Sequence, residues 1–296
     1  MRIGYIGLGA MGRPMAVNIV TAGHDVVVYD VNENQTKILA QRGASVAGSP
    51  REVAEETDYV LTCLPSIEAA EAVALGPNGV VAGSRAKAFV NMGTTGSAFS
   101  RSTAEAMRAA GKSYLDAPIS GGPPGAEAGT LGVMCSGDRE TFEALKANAL
   151  EAISSKIVYL GEKPGAAQVM KLVNNIIFFG NVAVAMEALT LGAKAGLGAE
   201  QMLEVINASS GRNTATEWLI PNHALNRAFD FGGANYIIAK DLDLWRQEVE
   251  AFQTPMQLGM SLRTLYLQSM WREGMGADLT TLLKTLEEIG NTELKP

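Results

Sequence analysis

The chain predicts a doubly wound parallel α/β sheet followed by an all-α C-terminal domain, the two joined through a long helix. Three observations predict it. Short apolar runs alternate with helix-like segments through the first half, and a glycine-rich turn follows the first run. From about residue 164 strand-like alternation stops, and helical spacing takes over almost to the C-terminus. A length of 296 residues is long for a single core. The expected division is 1–163 and 164–296, with 164–195 as the interdomain helix.

Arg2-Ile3-Gly4-Tyr5-Ile6 reads as a short buried strand, and Gly7, Leu8, Gly9, Ala10, Met11 and Gly12 follow it directly. The resulting GxGxxG opens a helix expected from Ala10 to about Ala22. Gly7 permits the tight turn, Gly9 lets the backbone approach a pyrophosphate, and Gly12 lets the helix lie close to its strand. Glycine-rich turns are common, so the motif needs its context. The next apolar run, Val26-Val27-Val28-Tyr29, ends in Asp30, about 20 residues after the glycines. A carboxylate there accepts hydrogen bonds from both hydroxyls of an adenosine ribose and repels a 2′-phosphate. The first domain is therefore expected to be Rossmann-type and to bind NAD in preference to NADP.

A helix is expected from Glu33 to Arg42, and Ser49-Pro50-Arg51-Glu52 is a capping box with proline at the first helical position. Tyr59 to Leu64 and Ala88 to Asn91 read as strands, Ala98 to Ala110 as a helix, and Tyr114 to Asp116 as a strand. Ligands on such sheets bind beyond the carboxyl ends of the strands. Those ends are the glycine loop, Leu64-Pro65-Ser66, Asn91-Met92-Gly93-Thr94 and Pro118-Ile119-Ser120. A helix from Pro164 to near Gly196 would be roughly 45 Å long, although Gly180 and Gly192 weaken its continuity. Glycines at 196–198, 211 and 232–233 divide the remainder into further helices.

Composition is ordinary for a globular chain, 47% hydrophobic and 19% charged, and the net charge of −7 argues against nucleic acid and against an anionic membrane surface. Lys171 to Leu191, the most apolar long segment, carries Lys171, Asn174, Asn175, Asn181 and Glu187 and is expected to be too polar to span a bilayer. Cys63 and Cys135 sit in apolar runs and read as core residues rather than a disulfide framework, which fits a reducing, cytoplasmic setting. No room for a signal peptide is expected before the first strand. His24 and His223 have no ligand-like spacing, so no metal site is expected.

Two segments besides the glycine loop carry chemistry. Asp116-Ala117-Pro118-Ile119-Ser120-Gly121-Gly122 can present consecutive backbone N–H groups and a hydroxyl to a carboxylate, although an ordinary glycine-rich turn reads about as well. Lys171 and Asn175 are four residues apart and share a helix face that is otherwise apolar. Burial among donors lowers a lysine's pKa and lets it exchange a proton near neutrality; the bland reading is a lysine with its head in water. Lys240-Asp241-Leu242-Asp243-Leu244 reads by itself as a charged helix start. Arg212, after Ser209-Ser210-Gly211, could meet a second acidic group of a substrate, but an ordinary surface arginine is the better reading.

Together these segments resemble the β-hydroxyacid dehydrogenase family. The likeness rests on GLGAMGRPM (7–15), DAPISGGPPGAEAGTL (116–131), GAAQVMKLVNN (165–175), KDLDL (240–244) and GMGADLT (274–280), in order and at matching separations. The resemblance implies hydride transfer between a small 3-hydroxy acid and NAD. Lys171 would be the acid/base, with Asn175 as its partner in holding substrate. Ser120, Gly121 and Gly122 would hold the substrate carboxylate, Thr94 would lie by the nicotinamide ribose, and Lys240 would reach the cofactor or the substrate. Leu64 and Pro65 would line the cofactor, and a homodimer or homotetramer built through the helical domain is implied.

Four positions depart from the family pattern: Ala167 for a glycine, Asn91 for an aspartate, Gly93 for a serine and Trp245 for a small residue. The close alternative is an NAD(P)H-dependent semialdehyde or glyoxylate-type reductase running toward the alcohol. Imine reductases share the architecture but lack the lysine, and a non-catalytic dinucleotide-binding scaffold would not need Lys171, Asn175, Ser120 and Lys240 together.

Overall fold

The computed structural model describes residues 1–295 and comprises two compact units, Met1–Lys171 and the chain from Leu172 onward. In the first unit, β1 (Arg2–Ile6), β2 (Asp25–Tyr29), β3 (Ser45–Val46), β4 (Tyr59–Thr62), β5 (Ala88–Asn91) and β6 (Ser113–Asp116) form a parallel sheet ordered 3-2-1-4-5-6. The order reverses between β1 and β4, the switch point at which such sheets bind ligands. Helices α1 (Gly12–Thr21), α2 (Glu33–Ala40), α3 (Pro50–Glu56), α4 (Ile67–Leu75) and α5 (Gly96–Ala109) make the crossovers.

Side-chain alternation explains why both faces are covered. Ile3, Tyr5, Val26, Val28, Leu61, Val90 and Leu115 pack into one apolar cluster, while Ile6, Val27, Val60, Phe89 and Tyr114 pack into another. At α3 the Ser49 hydroxyl accepts from the Glu52 N–H at 3.1 Å, but the Glu52 carboxylate reaches back to the N–H of Gly48 (2.7 Å) rather than to that of Ser49. The box is thus shifted by one residue.

Beyond β6 the sheet departs from the parallel pattern. β7 (Ile119–Ser120), α6 (Gly122–Ala128), β8 (Leu131–Gly137), α7 (Arg139–Leu145) and β9 (Ser154–Tyr159) follow. β8 runs antiparallel to both β6 and β7, and β9 pairs parallel with β8. β8 is the apolar run that holds Cys135, but its antiparallel pairing is not announced by alternation, and neither are β7, only two residues long, and β9, which is largely exposed. Cys135 is wholly buried on β8, whereas Cys63, just past β4, is half-buried and packs against the first apolar cluster.

Helix α8 (Ala166–Lys194) runs unbroken through Gly180 and Gly192. The glycines serve packing: a Cβ on Gly192 would strike the sulfur of Met202, and one on Gly180 would touch Leu262 at 3.4 Å. The helix has a mean hydropathy of 1.7 over its most apolar window, higher than the polar residues along it lead one to expect. Phe179, Val182, Met186 and Leu189 account for much of this, since they form the core of the second unit with residues of α9 (Ala199–Asn207), α10 (Asn235–Ala251), α11 (Gln257–Glu273) and α12 (Leu282–Gly290). Between α9 and α10, Ala215–Leu225 forms a widened helix with Pro221 inside it. Trp245 of α10 lies directly on Gly259 of α11, where any Cβ would collide with the indole. That glycine accommodates the large side chain at a position where the family pattern has a small one.

Candidate active site

Strand register sets the level at which every loop of the first unit begins. Ile6 pairs with both Tyr29 and Thr62, Thr62 with Asn91, and Asn91 with Asp116. The residues after these row members are Gly7, Asp30, Cys63, Met92 and Ala117, so the predicted loops emerge side by side along one edge.

The glycine loop fits a dinucleotide. Gly7 has φ +92° and its N–H donates to the Tyr29 carbonyl at 3.1 Å; a Cβ there would strike the Cys63 carbonyl, and one on Gly12 would strike that of Gly7. Gly9 differs: a Cβ on it would meet nothing within 4 Å. Internal packing thus demands glycine at positions 7 and 12, and close approach by a ligand is what would demand it at 9. Helix α1 starts at this loop with no side-chain cap at Met11; the Arg13 N–H donates to the Gly9 carbonyl at 3.0 Å, and the positive end of the helix dipole lies at the loop, where an anion is favoured. Leu8 is buried, Ala10 is exposed and Met11 half-buried.

Asp30 completes this end. Its carboxylate accepts from the N–H of Leu8 at 2.6 Å and from the N–H of Asn32 at 2.7 Å. Two backbone donors therefore hold the carboxylate against the glycine loop, and each oxygen keeps a lone pair for a ribose hydroxyl. A cleft of about 580 Å³ lies beside it, lined by Tyr29, Asp30, Val31, Thr36, Lys37 and Gly48 among others. Leu64 is half-buried and Pro65 exposed after β4. After β5, Asn91 orders the loop that bears Thr94: its Oδ1 accepts from the Gly93 N–H at 3.1 Å and its Nδ2 donates to the Thr95 hydroxyl at 2.8 Å.

Ser120 ends β7, and Gly121 and Gly122 follow with φ +132° and +64°. These angles suit glycine and turn the chain directly into α6, so the segment is a strand-to-helix junction rather than an open turn. Asp116, at the start of the same motif, is wholly buried. It accepts from Ser100 Oγ (2.7 Å), Tyr114 OH (2.8 Å), Gln168 Nε2 (3.0 Å) and the Gly165 N–H (2.7 Å). Burial pushes its carboxyl above the usual range, and these donors pull it back.

Lys171 lies in the second turn of α8 and is only 9% exposed, so the solvated reading of this lysine does not hold. The departure at Ala167 is a buried first-turn residue whose N–H donates to Ser136 Oγ at 2.9 Å. One turn after Lys171, Asn175 donates from Nδ2 to Asp241 Oδ2 at 2.7 Å, and Lys240 Nζ donates to Asp241 Oδ1 at 2.7 Å. The structure thus brings Asn175 and Lys240 together through a buried aspartate.

The KDLDL run is not a helix start. α10 begins at Asn235, so the run occupies its second and third turns. Asp241 is the buried acceptor shared by Asn175 and Lys240, a role that sequence reasoning did not give it. A signal was present: Ile238, Asp241, Leu242 and Leu244 follow helical spacing and are all buried, whereas Asp243 faces Arg263 and Arg246. Arg212 is not drawn into the site; it is exposed and pairs with Glu217 at 3.5 Å. Among the described residues no cluster of His, Cys, Asp and Glu could hold a metal ion.

Comparison with known proteins matches two family models. Residues 2–161 match the NAD-binding domain of 6-phosphogluconate dehydrogenase, and 165–286 match the NAD-binding domain of NADP-dependent 3-hydroxyisobutyrate dehydrogenase. The chain is 33% identical to 2-(hydroxymethyl)glutarate dehydrogenase of Eubacterium barkeri over 98% of its length and 96% of that protein's. It is 35% identical to 3-hydroxyisobutyrate dehydrogenase of Pseudomonas aeruginosa over 89% of its length and 90% of that protein's. Among solved structures, Mycobacterium tuberculosis 3-hydroxyisobutyrate dehydrogenase with L-serine superposes with a TM-score of 0.87 at 30% identity, covering 96% of this chain and 98% of that one. A Streptomyces aurantiacus imine reductase, at 20% identity and a TM-score of 0.65, shares the fold. The glycine loop, the parallel sheet and these likenesses over nearly the full length agree: the chain carries an NAD(P)-binding domain and is an oxidoreductase of the β-hydroxyacid dehydrogenase family.

Proposed function

We propose that this enzyme interconverts a small 3-hydroxy acid and its semialdehyde or 3-oxo acid with NAD, and that Lys171 is the general acid/base. The observation that carries the reading is a lysine buried to 9% exposure on the helix that, one turn later, presents Asn175 with its amide fixed by Asp241.

A bound nicotinamide dinucleotide supplies the hydride acceptor in the oxidation and the donor in the reverse. The rest falls to the chain. Gly7 to Gly12 and the start of α1 hold the pyrophosphate, Asp30 the adenosine ribose, and Leu64, Pro65 and Thr94 line the path to the nicotinamide. Ser120, Gly121 and Gly122 hold the substrate carboxylate, which fixes its distance from the reacting hydroxyl, and Asn175 partners Lys171 in holding the substrate. In the oxidation the neutral amine of Lys171 takes the hydroxyl proton as the carbon gives up its hydride; in the reduction the ammonium returns the proton to the forming alkoxide oxygen. Lys240, held by Asp241, adds positive charge for cofactor or substrate. The Asp30 carboxylate on the cleft wall favours NAD over NADP by repelling a 2′-phosphate.

The helical unit supports self-association into a dimer or tetramer. Ile177, Val184 and Leu191 recur every seven residues on α8 and are 58%, 58% and 73% exposed, a stripe suited to a second copy of this chain. We read the apolarity of α8 as core packing plus this face, and the setting as cytoplasmic, with neither nucleic acid nor membrane as a partner. The test of function is NAD reduction with 3-hydroxyisobutyrate, serine, glycerate, 3-hydroxypropionate, 4-hydroxybutyrate and 2-(hydroxymethyl)glutarate side by side, then with NADP. Turnover with at least one of them and a preference for NAD are expected; no reduction with any would overturn the reading.

A further inference from the structure

We propose that Gln168 is a positioning residue that ties the Thr94 loop to the helix turn bearing Lys171, with buried Asp116 as its anchor. This rests on the roles read for Lys171 and Thr94 in the proposed function. Gln168 is wholly buried, so it cannot bind substrate from solvent. Its Oε1 accepts from the N–H of Thr95 at 2.9 Å and from that of Gly96 at 3.3 Å. Its Nε2 donates to the Gly93 carbonyl at 3.0 Å and to Asp116 Oδ1 at 3.0 Å.

All four of the amide's hydrogen-bonding positions are therefore used. Their partners fix its orientation, since a flipped amide would set its NH₂ against two N–H donors. The partners lie on both sides of Thr94, and Lys171 follows Gln168 by three residues on the same helix.

Asp116 adds to the hold. It accepts from the N–H of Gly165 at 2.7 Å, and Ser136, which donates to Asp116 at 3.4 Å, accepts from the N–H of Ala167 at 2.9 Å. Backbone donors just before and within the first turn of α8 thus end on groups of β6 and β8. One amide consequently sets both the loop read as touching the nicotinamide ribose and the start of the helix that carries the proton-transfer group. A shift of about 1 Å in such an alignment can cost about 10²-fold in rate.

Gln168→Met, close in size but without the hydrogen bonds, tests this in the full-length enzyme. The expected result is NADH affinity within about threefold of wild type, kcat lowered by about 10²-fold, and a larger primary isotope effect with substrate deuterated at the carbinol carbon. Amide hydrogen exchange at Thr95 and Gly96 is expected to quicken, a readout that needs no turnover.

Gln168→Glu supplies a second signature. Its protonated form can accept from Thr95 and donate to Asp116, so its kcat relative to wild type should climb as pH falls while the ratio for Gln168→Met stays level. Wild-type kcat and isotope effect in both variants, with only a lower Tm, would overturn the proposal. Should Gln168→Met not fold, a pH-independent ratio for Gln168→Glu would do the same. Wild-type enzyme inert toward every 3-hydroxy acid would instead sink the functional reading, and the exchange rates would still report on the bracket.

Discussion

Asp116 and Asp241 are both buried carboxylates, one in each unit, and they are satisfied in different ways. Asp116 receives only neutral donors: three hydroxyls at 2.7, 2.8 and 3.4 Å, an amide and a backbone N–H. Asp241 receives an ammonium and an amide, both at 2.7 Å and both on side chains proposed to meet ligand. A carboxylate ringed by backbone and neutral groups holds architecture, whereas one paired with functional side chains sets their aim. The first should therefore answer to measurements of stability, and to kinetics only through the Gln168 amide that it anchors; the second should answer to kinetics directly.

The largest effect belongs to the lysine proposed to move the proton. Lys171→Ala is expected to lower kcat by about 10²–10⁴-fold, the usual worth of general acid–base catalysis, with NADH affinity nearly unchanged. Next comes Asp241→Ala, which leaves Asn175 and Lys240 without their shared acceptor; hydrogen bonds to charged groups are worth about 1.5–3 kcal/mol, so kcat/KM should fall by roughly 10-fold to 100-fold. A drop in Tm with normal kcat/KM would place Asp241 with Asp116 as a structural carboxylate and dissolve the contrast. Asp30→Asn should raise KM for NAD by roughly tenfold, about 1.4 kcal/mol, and narrow the preference over NADP, checked by initial rates with both cofactors.

The smallest effect sharpens the Asp116 side. Burial raises its folded pKa above the unfolded value, so the folded chain binds that proton more tightly. Its contribution to stability is then greatest at low pH and declines as pH rises from the unfolded to the folded value. Against Asp116→Asn, which does not titrate, the Tm advantage of wild type should narrow as pH rises through that window. A gap that widens instead would mean that the ionised carboxylate is the better-held form.

What could be read in the chain beforehand follows the range of each interaction. The GxGxxG loop and Asp30 were legible because their demands are local: a tight turn after a strand, a bare backbone, a carboxylate at the next strand's end. That Lys171 and Asn175 share a buried helix face was legible because they stand at i and i+4. Gln168 was not, since its partners are 52 to 75 residues away and a lone glutamine in a helix announces nothing. The antiparallel return of β8 onto β6 was hidden because register, not composition, decides it. The KDLDL run misled for another reason: its charges looked like a helix start, while burial sorted Asp241 inward and Asp243 outward.

The central claim is that a buried amine at position 171 moves the substrate's hydroxyl proton, and chemical rescue tests it most directly. NADH formation by Lys171→Ala should be nearly absent in plain buffer and should rise in proportion to added ethylamine in its free-base form. Wild-type turnover by this variant without amine, unchanged when amine is added, would contradict the account.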